Sequence, residues 1–199
     1  MQDFINELSS AAPTPGGGGA SALIGAISCA LCSMVSNLTT GKKKYAQYQE
    51  KIDEYLVILD KKCQVLMADI KKDADAFAPL AAAYAMSKDD PEYGEKMEAA
   101  TLTAAQAPLE ITRDIYSLVP IIEELEVMGS RLAISDVAVA ATAAIAALEG
   151  AVMNIYINTK SLKDRDAAKA MNKEAEHMVE DGKARLSAVY NRIMSGLKG

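Results

Sequence analysis

Residues 13–40 read PTPGGGGASALIGAISCALCSMVSNLTT, a proline and glycine loop that runs directly into a long uncharged segment. The prolines fix an extended approach, and the glycines let the backbone come close to a ligand without steric cost. A helix that begins at the end of this loop would aim unpaired N–H groups and a partial positive charge at a carboxylate or phosphate. Composition alone leaves open the alternative that the loop is a flexible linker.

The segment from Ala20 to Thr40 predicts a buried helix. Its large apolar side chains recur every three to four residues, while the opposite side carries Ala, Ser and Gly rather than charge. The apolar positions are Leu23, Ile27, Leu31, Met34 and Leu38. Such a helix must be covered on nearly every side, and its small residues invite neighbouring helices to pack at short distance.

Composition bounds the class of protein. The 199 residues are half hydrophobic, with abundant alanine, no tryptophan and two phenylalanines, so we expect one all-α domain over residues 1–199, with small side chains between its helices. A net charge of −6 argues against a nucleic-acid partner.

The uncharged stretch from Leu8 to Gly41 is long enough to span a bilayer, but its small polar residues make it weakly hydrophobic, so we expect no membrane insertion.

The cysteines and the N-terminus favour a cytoplasmic protein. Three cysteines do not make a disulfide framework, and the first residues, which include Asp3, do not resemble a secretory signal. Cys29 and Cys32 have the spacing of a redox or metal pair, but they lie within the buried helix and no histidine flanks them, so we expect two core residues. His177 is the only histidine, which excludes zinc-hydrolase signatures and Ser-His-Asp triads and predicts no metal site.

An acid interrupts the long amphipathic pattern of residues 45–84. Asp73 falls three residues after Ile70 and four before Phe77, where the helix calls for an apolar side chain. Burial disfavours the charged carboxylate and can raise its pKa by up to ~3–5 units, which suits a proton donor and acceptor near neutral pH. The alternative is a slipped register that leaves Asp73 at the solvent boundary, paired with a lysine. The same pattern places Asp69 and Asp75 on the solvent face.

Three consecutive lysines, Lys42, Lys43 and Lys44, follow Gly41 at the end of the first buried helix. Lysines at this position offset the negative end of the helix dipole. In an acidic protein they are equally suited to bind the carboxylates of an anionic ligand. The residue pattern does not decide between these two roles.

A second nearly uncharged helix is predicted from Val137 to Ile157, packed against the first in the centre of the molecule. Asn154 and Asn158 lie one turn apart on this helix, so both amides need partners, in neighbouring backbone or in a polar ligand. Ser135 is expected to cap its N-terminus, which explains Asp136 in the first turn and makes a binding role for Asp136 optional. Pro108 is expected to kink or end an earlier helix. Residues 164–195 are expected to form a charged amphipathic helix that is an outer cover or a dimer element.

Taken in order, these pieces resemble the cyclodeaminase half of the formiminotransferase-cyclodeaminase family. The resemblance covers nearly the whole chain and rests on a series of motifs: Ser9-Ser10, Pro15 to Gly19, Met34-Val35, Asn37 to Thr39, Gly41 to Tyr45, Asp73 to Phe77, Ala107 to Leu109, Gly129, Ser135-Asp136 and Asn154 to Asn158. The formiminotransferase half is missing, which suggests a stand-alone member. The family often has Asn where this chain has Ser130, and a serine does not offer the amide of that Asn.

The resemblance implies an all-α bundle with two long central helices, usually a homodimer, that acts on tetrahydrofolate one-carbon adducts without a permanently bound cofactor. In the cyclodeaminase reaction, N10 of 5-formiminotetrahydrofolate attacks the formimino carbon and ammonia leaves, giving 5,10-methenyltetrahydrofolate. Some stand-alone relatives are instead methenyltetrahydrofolate cyclohydrolases, in which water attacks the same carbon. The sequence does not separate these activities, and a non-catalytic helical binding module is the alternative from another class.

The family's acid–base aspartate falls on Asp73, the residue that the apolar pattern also isolates. The resemblance further implies that Pro15 and the glycines Gly16, Gly17, Gly18 and Gly19 hold the folate. It assigns Lys42, Lys43 and Lys44 to the glutamate tail, and Asp136, Asn154 and Asn158 to the pterin ring.

Overall fold

A computed structural model of residues 1–199 consists of helices and connecting turns. The α-helices are α1 (Gln2–Leu8), α2 (Gly17–Asn37), α3 (Gln49–Tyr84), α4 (Tyr93–Tyr116), α5 (Val119–Met128), α6 (Ile134–Thr159) and α7 (Arg165–Lys198). Short 3-10 turns span Lys43–Tyr48 and Arg131–Ala133. The expected all-α class is confirmed.

The bundle is built around α2 and α6, which pack against each other in antiparallel directions. Helix α3 lies on the other side of α2, α7 lies on the other side of α6, and α4 and α5 cover one side of this row. The two central helices approach closely because small residues meet between them. The Ser28 hydroxyl donates a 2.8 Å hydrogen bond to the Ala140 carbonyl, and Gly150 faces the Ser21 side chain. The predicted central pairing of two small-residue helices is therefore confirmed.

Large apolar side chains of the surrounding helices fill the core around this pair. The largest fully buried ones include Ile52, Leu59, Leu66, Ile115, Leu118, Ile122, Leu125, Leu148 and Leu186. Cys29 and Cys32 are buried among them, as expected for core residues. Glycine allows the closest approach: a Cβ at Gly25 would lie 2.7 Å from Ile115 Cγ1, so α2 and α4 meet at a distance that alanine does not permit.

Several sequence-based helix limits were wrong. Pro108 lies inside α4 and does not end it. Helix α2 begins at Gly17, so the glycines form its first turn rather than a loop ahead of it. Ser135 does not cap α6, because that helix already begins at Ile134. The outer helix α7 begins next to Asp164, whose carboxylate accepts the N–H groups of residues 166 and 167.

Helix α2 and the segment Arg131–Thr159 are both long and apolar enough to cross a membrane by length and composition. In the bundle, 61% of the tested window is buried in α2 and 44% in the second segment. Contact between the helices accounts for the buried part. The exposed residues of the remainder include the apolar Ile27, Met34, Val139 and Met153.

The close approach at Gly25 makes a stability prediction. Gly25→Ala should lower the free energy of unfolding by about 1–3 kcal/mol, because the added methyl group forces Ile115 to move. The matched control is Gly196→Ala in α7, where a Cβ meets nothing within 4 Å. There the free energy of unfolding should rise by up to about 1 kcal/mol, because alanine favours the helix. Urea titration monitored by circular dichroism measures both, and equal effects would contradict the packing described.

Candidate active site

Gly16 to Gly19 place the N-terminus of α2 at the surface of the bundle. The chain bends at Pro13 and Pro15, the Thr14–Pro15 peptide bond is cis, and Gly16 is the extended N-cap residue of α2. The extended approach expected from the two prolines was therefore wrong. The N-cap residue is a glycine and supplies no capping side chain, so the side chain that accepts from this first turn comes from Asp73 of α3. The N–H groups of Gly17 and Gly18 therefore donate to no protein acceptor, while the Gly19 N–H points toward α3. This N-terminus is suited to binding negative charge.

Asp73 of α3 meets this N-terminus directly. Its Oδ2 accepts a 2.9 Å hydrogen bond from the Gly19 N–H. A Cβ at Gly18 would lie 2.5 Å from Asp73 Cγ, so only glycine leaves room for the carboxylate. Burial raises the pKa of Asp73 above the ordinary value of an aspartate, and the Gly19 N–H offsets only part of this rise. The apolar register that predicted a partly buried acid at this position is confirmed.

Asn154 and Asn158 of α6 form the opposite wall. The Asn154 amide donates to the Gly150 carbonyl at 2.9 Å, and the Asn158 amide donates to the carbonyls of Ala104 and Asn154, also at 2.9 Å. Backbone carbonyls thus take the N–H groups, and the Oδ1 atoms accept no hydrogen bond from the protein. The two side chains offer acceptor oxygens to a ligand that carries N–H donors.

Together these groups enclose a polar cleft of about 160 Å³. Its lining comprises Pro13, Thr14, Gly16, Gly17, Gly18, Asp73, Phe77, Ala104, Asn154 and Asn158. A larger, mainly apolar cavity of about 420 Å³ lies on the other side of Pro15. It shares Thr14 with the cleft, and its other lining residues include Phe4, Leu23, Met67 and Ile70.

The structure brings together one group of the predicted site residues and separates another. Gly16 to Gly19, Asp73, Asn154 and Asn158 meet at the cleft, and Pro15 lines the apolar cavity. Lys42, Lys43 and Lys44 follow the C-terminal end of α2, which is about 31 Å long. Asp136 lies in the first turn of α6, about 27 Å along the helix from Asn154. Within one chain, neither the lysines nor Asp136 reaches the cleft.

Sequence reasoning missed some of the lining and misplaced one acid. Phe77 was taken only as a member of the apolar pattern of its helix, although its position one turn after Asp73 could have indicated that it faces the same cleft. Asp69 was placed on the solvent face but is only 2% exposed. It forms an ion pair with Lys72 at 2.7 Å, and its Oδ2 has no hydrogen-bond partner. Burial and the nearby Asp69 raise the pKa of Asp114 on the facing helix α4.

The chain has no group of three or more His, Cys, Asp or Glu side chains arranged to hold a metal ion. Among the side chains that line the cleft, the titratable one is the carboxyl of Asp73, which lies beside amides and backbone N–H groups. Such a set can bind a polar ring by hydrogen bonds and move one proton.

Comparison with known proteins identifies the family. The model of the formiminotransferase-cyclodeaminase family matches residues 1–177. The chain belongs to this family. It is 35% identical to a methenyltetrahydrofolate cyclohydrolase of Methylorubrum extorquens, over 98% of this chain and 96% of that protein. It is 28% identical to the formimidoyltransferase-cyclodeaminase of Sus scrofa, over 97% of this chain but 36% of that protein.

The fold matches a solved structure of the same family. The crystal structure of a formiminotetrahydrofolate cyclodeaminase from Thermotoga maritima superimposes with a TM-score of 0.86 at 28% identity, covering all of this chain and 96% of that one. The resemblance found in the sequence is thereby confirmed, and so is the expectation of an enzyme. The chain spans about a third of the length of the two-activity relatives it matches and nearly the full length of the cyclohydrolase and the Thermotoga protein.

The raised pKa of Asp73 predicts a pH-dependent stability difference between the wild type and Asp73→Asn. Below pH about 4 the carboxyl is protonated in both the folded and unfolded states, so burial carries no charge penalty. As the pH rises, the unfolded carboxyl ionises first, which disfavours the folded wild type until the folded pKa is passed. The gain in unfolding free energy from Asp73→Asn should therefore grow above pH 4 and then level off. Thermal unfolding from pH 4 to 8 measures it, with Asp75→Asn as the exposed control. A gain that shrinks with rising pH would contradict the burial of Asp73.

Proposed function

We propose that the chain is a formimidoyltetrahydrofolate cyclodeaminase in which Asp73 is the acid–base group. One observation carries this proposal: a half-buried carboxyl, held by the Gly19 N–H, faces two amide oxygens in a cleft at a helix N-terminus. A carboxyl with a raised pKa can accept and return a proton near neutral pH. The substrate class in this proposal comes from family membership, and the acid–base role comes from the position of Asp73.

The reaction needs one proton to move between two nitrogens. The formimino group enters protonated, as N5–CH=NH2+. N10 attacks its carbon, forming the N10–C bond and a tetrahedral centre, and the Asp73 carboxylate accepts the proton from N10. The protonated Asp73 then gives this proton to the exocyclic nitrogen, whose bond to carbon breaks as ammonia leaves. The product is the methenyl bridge between N5 and N10, and Asp73 returns to its ionised form. General acid–base assistance of this kind contributes about 10²–10⁴-fold to the rate.

The two cavities match the two parts of a folate. The Oδ1 atoms of Asn154 and Asn158 suit the N–H donors of the pterin ring, and Phe77 offers an apolar edge beside them. The cleft of about 160 Å³ holds little more than this ring. The aminobenzoyl group then lies in the adjoining apolar cavity beyond Pro15, between Leu23 and Ile70. Asp73 stands near the junction, where N5 and N10 of the substrate would be.

A second candidate is methenyltetrahydrofolate cyclohydrolase. It is favoured by the relative of that name, which is 35% identical and of nearly equal length. Water then replaces N10 as nucleophile at the same carbon. Asp73 takes one proton from the water as the C–O bond forms and delivers it to N5 as the N5–C bond breaks. The remaining hydroxyl proton leaves to solvent as the C=O bond forms, which leaves the formyl group on N10.

The proposal includes the wider setting of the enzyme. The folate is a substrate and the only small-molecule partner, no cofactor is permanently bound, and the enzyme acts in the cytoplasm as a homodimer. A non-catalytic binding module of the same fold is the alternative that an activity measurement removes.

The decisive assay follows the absorbance of the methenyl chromophore in two parallel reactions. Appearance of the chromophore from 5-formiminotetrahydrofolate identifies the cyclodeaminase, and accelerated loss from 5,10-methenyltetrahydrofolate identifies the cyclohydrolase. Asp73→Asn should lower kcat by about 10²–10⁴-fold while folate binding, measured by calorimetry, changes little. No turnover of either substrate by the wild type would remove the proposal.

A pair of glycine substitutions tests the geometry around the carboxyl. Gly18→Ala should lower kcat strongly, because the new Cβ occupies the space of the Asp73 carboxylate. Gly196→Ala in α7 is the matched control, since a Cβ there meets nothing within 4 Å and the residue lies outside the cleft, and its kcat should change by less than about threefold. Equal rates for the two variants would contradict the placement of Asp73 against Gly18.

A further inference from the structure

The three cysteines of the chain lie where α2 packs against α3. Cys29 and Cys32 belong to α2 and are buried, whereas Cys63 belongs to α3 and is partly exposed. All three are free thiols. The chemistry proposed for Asp73 uses none of them, so the arrangement of the thiols points to a separate role.

The register between α2 and α3 brings Cys29 and Cys63 to the same level. The helices run antiparallel, because contacts tie the start of α2 to the second half of α3 and the segment after α2 to the beginning of α3. Cys29 lies ten residues after Gly19, and Cys63 lies ten residues before Asp73, which accepts the Gly19 N–H. Ten residues advance a helix by about 15 Å. The two cysteines therefore meet about that far along the helix pair from the Asp73 carboxylate.

Direct contacts show that the two thiols face each other. The Cys29 thiol donates a hydrogen bond of 3.3 Å to the carbonyl of Leu59, which lies one turn before Cys63 on α3. Cys63 packs against the apolar core that contains Cys29 and Leu59. The thiols of Cys29 and Cys63 are within hydrogen-bonding reach of each other, and the Ser33 hydroxyl reaches Cys63 from the next turn of α2. The pair thus bridges the two helices.

The CxxC spacing of Cys29 and Cys32 does not make a second pair of this kind. Side chains three residues apart on a helix have Cβ atoms about 5–6 Å apart, whereas a disulfide needs about 3.5–4.5 Å. Burial also raises the pKa of Cys32 to about 12, so this residue stays a thiol. The thiols that can react with each other are those of Cys29 and Cys63.

The surroundings make Cys63 the nucleophile of the pair. The hydrogen bond with Cys29 lowers the pKa of Cys63 below the usual range of a thiol, and a second hydrogen bond with Ser33 adds to this effect, although burial and the charge of Asp60 oppose it. The same contact with Cys63, together with burial, raises the pKa of Cys29. Cys63 therefore holds the thiolate while Cys29 keeps its proton. The thiolate is the form that peroxides oxidise, and Cys63 is also the cysteine that solvent reaches.

We infer that Cys63 and Cys29 form an oxidation site for hydroperoxides, in which Cys63 is the reacting thiolate and Cys29 resolves the product to a disulfide. The inference is independent of the proposed function. In the first step, the Cys63 sulfur attacks an oxygen of the hydroperoxide. The S–O bond forms as the O–O bond breaks, and the leaving oxygen takes a proton from solvent to become water or an alcohol. Cys63 is oxidised to a sulfenic acid.

In the second step, the sulfur of Cys29 attacks the sulfur of Cys63. The S–S bond forms as the S–O bond breaks, and the departing hydroxide takes the Cys29 thiol proton to leave as water. The two sulfurs have then lost two electrons, which the hydroperoxide has accepted. The disulfide protects Cys63 from irreversible oxidation to the sulfinic acid, and it joins α2 to α3 in the register that holds Gly19 against Asp73.

Thiol counting and peptide mapping test the site in the full-length protein. The reduced chain is treated with hydrogen peroxide, quenched and unfolded, and its free thiols are titrated. The wild type should fall from three free thiols to one, with a Cys29–Cys63 disulfide inside one chain that dithiothreitol reverses. The matched control Cys32→Ser should fall from two free thiols to none.

Two further variants separate the two steps. Cys63→Ser should keep both of its thiols, because the nucleophile is missing and the remaining cysteines are buried. Cys29→Ser keeps a hydrogen-bond donor beside Cys63 but has no thiol there to resolve the product. Cys63 should then accumulate as a sulfenic acid that dimedone traps. Any of four results would overturn the inference: three free thiols in the treated wild type, a disulfide that contains Cys32, a disulfide between chains, or a sulfinic acid at Cys63 without a disulfide.

Urea unfolding gives a readout that does not depend on the chemistry of detection. A disulfide that fits the existing register restricts the unfolded chain without straining the folded one, so peroxide treatment should raise the urea midpoint of the wild type and of Cys32→Ser. The midpoint of Cys63→Ser should not change. An unchanged or lowered midpoint in the oxidised wild type would contradict the placement of Cys29 opposite Cys63.

Discussion

The hydrogen bond between the Gly19 N–H and the Asp73 carboxylate is the contact on which the site depends. It joins the first turn of a buried helix to the middle of a long outer one, and it holds a carboxyl in partial burial without a cation beside it. A neighbouring lysine would hold the carboxyl ionised with a low pKa and leave it a poor proton carrier. A single backbone N–H gives the carboxylate oxygen a hydrogen bond but leaves most of the desolvation penalty, so the pKa of Asp73 stays raised.

The small residues of α2 serve this contact as well as the core. Because α2 carries Gly, Ala and Ser, α6 and α4 approach it closely, and Asn154, Asn158 and Ala104 come within reach of one small cleft. The same composition places glycines at the helix start, where Gly18 leaves room for the carboxylate. Helix packing and the geometry of the site thus share one cause. A consequence is that the side chains of α2 and α6 are too small for the two helices to cover each other on every side.

The sequence predicted the elements that follow from periodicity and missed those that depend on what surrounds them. The position of Asp73 was found because an acid in an apolar register contradicts the helix pattern, and the two central helices were found because they lack charge. Pro108 was expected to kink or end its helix, and it does not end α4 because tertiary packing holds that helix together across a proline. The burial of Asp69 was not predicted, because the apolar pattern of a helix shows where the centre of its buried face lies but not how wide that face is. The separation of the lysines from the cleft could not be predicted, because motif order along a chain does not say at which end of a bundle each motif lies.

The pH dependence of kcat/KM tests the central claim most directly, because its acidic limb reports the pKa of the essential base in the free enzyme. With the active folate substrate, the limb should fall at a pH above the ordinary aspartate value of about 4, as a half-buried carboxyl requires. The residual activity of Asp73→Asn should lack this limb. A limb at the ordinary aspartate value, or the same limb in the wild type and in Asp73→Asn, would show that the proton is carried elsewhere.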